Sequence, residues 1–157
     1  MTLDHFSKGH KKFNQGEFSP KHPEKYKGTY PIIWRSRWEL KMCMVLDERP
    51  DVIQWGSESV AIPYHHPFKD RTARYFPDFI ADIRDKEGKV TRWLIEIKPA
   101  KETTAPTRKP RQRTKTWMYA EATWMINQRK WEAAQKFCQQ NGMKFKLITE
   151  KELFNRR

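Results

Sequence analysis

Residues 75–98 read YFPDFIADIRDKEGKVTRWLIEIK, and their pattern decides the fold. Two mostly apolar runs flank Asp85-Lys86-Glu87-Gly88, a segment with turn chemistry, so the runs are expected to pair as a β-hairpin. Three polar groups interrupt them: Asp78 in the first run, Glu96 and Lys98 at the end of the second. Side chains alternate along a strand, so Glu96 and Lys98 share one face while Trp93, Ile95 and Ile97 point the other way into a core. Asp78 and Glu96 lie at nearly equal distances from the turn, as a paired register requires.

Adjacent carboxylates repel, and they stay ionised when a cation sits between them. All-oxygen donors suit a hard ion, Mg²⁺ or Mn²⁺. Such an ion polarises a phosphodiester oxygen and acidifies a bound water. Lys98 beside it would orient that water or offset charge at phosphorus. Asp78, Glu96 and Lys98 are therefore candidate catalytic residues, with the two carboxylates as metal ligands.

Upstream, Ser36-x-x-Glu39 precedes LKMCMVL, a capping-box pattern that predicts a helix from Ser36 to about Glu48, ended by Pro50. Glu39 shares a helical face with Met42, Cys43 and Leu46. A carboxylate there needs a partner or a metal, so Glu39 is both a candidate ligand and a candidate cap. Residues 52–55 and 59–64 are expected as short strands, followed by a polar loop from His65 to Arg74 with the adjacent histidines at the surface.

Downstream, residues 99–116 are expected as a loop carrying Lys101, Arg108, Lys109, Arg111, Arg113 and Lys115 against Glu102. Trp117, Trp124, Trp131 and Cys138 recur every seven residues, which predicts a helix over about 116–140 with an aromatic face on a sheet. Asn141-Gly142 stops it, residues 143–149 are expected as a last strand, and the tail as a short helix. The order of elements predicts an α/β domain with a mixed sheet and helices packed against it. Residues 1–30, polar and rich in Gly and Pro, are expected as an extended basic arm without a core of its own.

The 157 residues suffice for one domain, and 7 Trp with 9 Phe supply core material. A net charge of +13 predicts a polyanionic partner, nucleic acid before membrane. No apolar run approaches the ~20 residues of a membrane span, and the first residues lack a secretory h-region. Cys43 and Cys138, without CxxC spacing, are expected as buried free thiols. Arg35 and the loop cations are the candidate DNA contacts, gripping phosphates rather than reading bases.

Pro77-Asp78 with Glu96-Ile97-Lys98 resembles the PD-(D/E)xK nuclease signature. That family commonly carries a further Glu on its first helix, matched by Glu39. Arg35-Ser36-x-x-Glu39, YFPDF (75–79) and EIKP (96–99) are similar to TnsA-like transposon endonucleases, which have Gln where this chain has Glu96. With IPYHHP, DKEGK, RKPRQRTKT and ITEKEL added, residues 25–153 resemble more closely the head-completion nucleases of T-even-type tailed phages. The resemblance implies a restriction-endonuclease-like mixed β-sheet flanked by helices, with residues 31–157 as the nuclease domain. It also implies a Mg²⁺- or Mn²⁺-dependent deoxyribonuclease acting on double-stranded DNA after packaging, when heads are prepared for tail joining. Portal, neck or head proteins are the implied partners, and no membrane or organic cofactor is expected. The implied location is the cytoplasm of the infected host during assembly, with retention in the virion head or neck as an extension. Two rival readings share these residues: a structural DNA-binding plug with a silent centre, and another endonuclease of the same fold for transposon-end cleavage or junction resolution.

Overall fold

Two layers of helix enclose a four-stranded sheet in the computed structural model, which describes residues 15–155. The strands are β1 (Gly16–Phe18), β2 (Ile32–Trp34), β3 (Val52–Ser57), β4 (Ile62–His66), β5 (Arg71–Tyr75), β6 (Phe79–Arg84), β7 (Val90–Ile97) and β8 (Lys144–Ile148). The α-helices are α1 (Arg37–Glu48), α2 (Thr114–Gln140) and the short α3 (Glu150–Leu153). The central sheet runs β3-β6-β7-β8. Its first two pairings are antiparallel, and β7 pairs with β8 in parallel, which requires the crossover that α2 provides. This is the restriction-endonuclease-like mixed sheet flanked by helices. β1 with β2 and β4 with β5 form separate two-stranded pairs.

The expected hairpin is β6–β7. Asp85 Oδ1 accepts from the Glu87 and Lys89 amides at 3.0 and 2.8 Å, and Gly88 takes φ +85°, a conformation favourable to glycine. Alternation along β7 divides the core. Ile95 and Ile97 pack with Phe79, Trp55 and the α1 residues Met42, Cys43 and Leu46. Leu94 packs on the other side with Trp131, Ala134 and Cys138 of α2, joined by Ile62, Tyr64 and Tyr75 of the β4–β5 pair. Both cysteines are free and buried.

Several boundaries differ from the expectations. His65 and His66 do not begin a loop: they end β4, paired with Thr72 and Arg71 of β5. The strand β5 was hidden because Arg71–Tyr75 lacks a buried alternation, only Tyr75 being fully buried. Asp78 stands just before β6, after the buried Pro77, which has no amide to give a ladder. The helix α2 begins at Thr114, so Lys115 lies in its first turn rather than in the loop. Only the C-terminal part of the tryptophan stripe is core. Trp131 is buried and meets Trp124 edge to face, whereas Met118 and Tyr119, nearer the start, are 61% and 76% exposed.

The expected arm is tied down in its described part. Tyr26 is buried against Trp55, with ring centroids 4.8 Å apart. The buried Asp47 carboxylate at the end of α1 accepts from the Lys21 and His22 amides at 2.8 and 3.0 Å. Aromatic burial and this carboxylate give a polar segment a fixed seat that its composition did not suggest. Residues 1–14 of the expected arm lie outside the described residues.

Candidate active site

The register of the hairpin sets the site. Phe79 pairs with Ile95, so the next step along each strand opposes Asp78 and Glu96. The two residues interlock through backbone hydrogen bonds. The Ile97 amide donates to Asp78 Oδ2 at 2.8 Å, and the Asp78 amide donates to Glu96 Oε1 at 3.3 Å. Glu96 is 6% exposed, deep in the sheet, while Asp78 is half-buried. Burial first, and then the Glu96 charge, push the Asp78 carboxyl up to about 8. Burial also raises Glu96, opposed by its hydrogen bond with Asp78 and by the Lys98 charge. Both carboxyls are thus held above their ordinary range, and the pair favours holding a proton or a cation between them.

Lys98 follows directly on β7, its amide donating to the Ile148 carbonyl at 3.0 Å. It lines a cleft of about 530 Å³ together with Arg35, Ser36, Glu39, Ile97, Pro99 and Glu102. A larger cavity of about 660 Å³ lies between α1 and the sheet, walled by Met42, Leu46 and Ile95, and holds none of the candidate residues. Cleft chemistry, not cavity size, marks the site.

Glu39 reaches the cleft from α1. Ser36 caps the helix, its Oγ accepting from the Glu39 amide at 3.1 Å. The Glu39 carboxylate accepts from the Arg35 amide at 2.9 Å, one residue before the position a strict capping box would use. Burial raises its pKa most, and the Asp78 and Glu58 charges add to the rise. Thus Glu39 both ties down the helix entrance and feels the charge of Asp78.

The donor set suits a hard divalent ion in its chemistry: buried carboxylates raised by desolvation are relieved by a cation. It is not a preformed cage. Among the described residues, no three His, Cys, Asp or Glu side chains converge closely enough to hold a metal. Asp78 and Glu96 are brought together with Lys98 close by, while Glu39 remains engaged with the Arg35 amide.

Of the expected DNA contacts, Arg35 lines this cleft, and the seven differ in their freedom. Arg35 pairs with Glu58, so its guanidinium is already engaged. Lys101 sits in a 3₁₀ turn over Ala100–Glu102. Arg108, Lys109, Arg111 and Arg113 are exposed on the following segment, and Lys115 is exposed on α2. Arg108 donates to Thr114 Oγ1 at 3.2 Å, and the Lys109 amide to Gln112 Oε1 at 2.9 Å, which gives the segment local order.

Two residues near the centre escaped the sequence reading. Tyr75 is 3% exposed and faces Glu96, and Lys130 of α2 lies over its ring. Lys130 precedes the stripe residue Trp131, and its place over the Tyr75 ring depends on how α2 crosses the sheet.

Comparison with known proteins shows the family of the chain. The family model described as "TnsA-like endonuclease N terminal" matches residues 49–150, which include Asp78, Glu96 and Lys98 but leave Glu39 outside. A curated relative, "Head completion nuclease" of Enterobacteria phage T4, is 38% identical over 139 residues, covering 86% of this chain and 90% of its own length. The interlocked Asp78–Glu96 pair and Lys98 thus lie within a matched sequence region, and the chain belongs to the TnsA-like endonuclease family.

Proposed function

We propose that this chain is a Mg²⁺- or Mn²⁺-dependent deoxyribonuclease that hydrolyses phosphodiester bonds of double-stranded DNA. The observation that carries the reading is the Asp78–Glu96 pair, interlocked at the open end of the hairpin with Lys98 next along the strand. Asp78 and Glu96 would hold the ion, with Glu39 joining directly or through water. The bound ion would supply Lewis acidity for phosphodiester hydrolysis. Lys98 would hold the attacking water in line and offset negative charge as it grows on the phosphate. Arg35, Lys101, Arg108, Lys109, Arg111, Arg113 and Lys115 would grip backbone phosphates, Arg35 by exchanging Glu58 for a phosphate.

The similarity to a head-completion nuclease supports a role in phage assembly, after DNA packaging, while heads are readied for tail joining. The working location would be the host cytoplasm, with portal, neck or head proteins as partners. No helix among the described residues is long and apolar enough to cross a membrane.

The test is plasmid cleavage by purified protein with Mg²⁺, Mn²⁺ or chelator, alongside Glu96→Gln and Lys98→Ala. Ion-dependent nicking by the native chain, reduced at least about 100-fold in folded variants, is the expected result. Absence of cutting with every divalent ion would favour a DNA-binding assembly protein with a silent centre. Equal cutting by the variants would remove these residues from the site.

A further inference from the structure

Lys130 brings a second cation to the carboxylate pair from the helix layer. Its side chain is half-buried, and its ammonium lies 5.8 Å from the Tyr64 ring centroid and 5.7 Å from that of Tyr75. Among the described residues it forms no ion pair. The charges acting on it are those of Glu96, Lys98 and Asp78, the same groups that define the candidate centre. The Tyr75 hydroxyl beneath it is buried and faces Glu96.

A lysine normally extends its ammonium into water. Holding it over two rings restricts a flexible chain and strips part of its hydration. The aromatic shelf offsets some of that cost through cation–π attraction. It also holds a positive charge within the field of the two carboxylates, where an incoming phosphodiester would need cations to offset their repulsion.

We propose that Lys130 is a phosphate-binding residue of the centre, contacting the DNA backbone beside Asp78 and Glu96, with Tyr64 and Tyr75 positioning its ammonium. The role in cleavage rests on the nuclease reading above, whereas the phosphate contact can be measured without cutting. The full chain, Lys130→Gln, Lys130→Met and Lys130→Arg are compared by thermal melting, by duplex-binding anisotropy across a KCl series in chelator, and by cleavage kinetics with Mn²⁺.

Loss of one phosphate contact should reduce the log–log salt slope by about 0.9 in Lys130→Gln. It should also lower kcat/KM by about tenfold, chiefly through KM, with Lys130→Arg restoring both. Lys130→Met retains an apolar stem on the rings and decides the question if the glutamine variant does not fold. A folded Gln or Met variant with the native salt slope and KM would overturn the proposal. So would a loss of stability in all three variants without a change in slope, which would make Lys130 a packing residue. If the native chain cuts no DNA, the nuclease reading falls while the salt slope still decides the phosphate contact.

Discussion

Replacing Asp78 by Asn should stabilise the ion-free protein at neutral and mildly alkaline pH. The carboxyl is raised from its ordinary 3.8 to about 8 by burial and by Glu96. Its folded-state pKa exceeds the unfolded value, so between these limits the folded chain binds more protons. Stability therefore falls as pH rises from about 4 to 8 and levels off above that window. At about 1.4 kcal/mol per pKa unit, the shift sets an upper bound near 5 kcal/mol at pH 8. Relaxation around a group that is not fully buried and sharing of the proton with Glu96 reduce the expected gain to about 2 kcal/mol. For a chain of this size that corresponds to about 4–8 °C in Tm. Asparagine can still accept from the Ile97 amide, so the hairpin contact survives the change.

The assay is thermal melting of native and Asp78→Asn protein in chelator from pH 5 to 9, repeated with Mg²⁺ or Mn²⁺. The variant should melt higher at pH 8, and the difference should shrink as pH falls toward 4. Ion binding at 10 mM with a Kd near 1 mM would add about 1.4 kcal/mol to the native protein and much less to the variant. A variant that melts no higher at pH 8 would refute repulsion within the pair. Equal stabilisation of both proteins by the ion would place ion binding elsewhere.

Glu39→Gln keeps an acceptor for the Arg35 amide but removes the charge, so cleavage should fall at least about tenfold while Tm stays within about 2 °C; full activity in that variant would leave Glu39 as a helix-entrance residue alone. Changing Arg108, Lys109, Arg111 and Arg113 together to Gln should flatten the log–log salt slope of DNA binding by up to about 3.6, and an unchanged slope would exclude the segment as a phosphate grip. Asp47→Ala leaves the Lys21 and His22 amides without their acceptor, so it should cost about 2–3 kcal/mol and expose residues 15–26 to faster hydrogen exchange. Native exchange rates in that variant would show that other contacts, such as Tyr26 on Trp55, hold the segment.

Local chemistry made much of this legible in the sequence. Asp85 and Gly88 mark the turn, alternation places Ile95 and Ile97 opposite Glu96, and Ser36 marks the start of α1. Those signals act over a few residues, so the chain itself carries them. Symmetry about the turn even paired Asp78 with Glu96, because a hairpin register follows from its turn. β5 was not legible, since its exposed alternation leaves no apolar pattern to read. The anchoring of residues 15–30 was also hidden, because Asp47 and Trp55 come from distant sequence.

The sequence by itself determined the hairpin, its polar triad and the excess of positive charge. Tertiary structure alone decided that Arg35 is held by Glu58, that Glu39 turns back to an amide, that Tyr75 faces Glu96 and that Lys130 lies over the Tyr75 ring. The physical reason is range. Turn and strand preferences operate between neighbours in the chain, whereas the field around Asp78 and Glu96 depends on which helix is packed above them and on the face it turns inward.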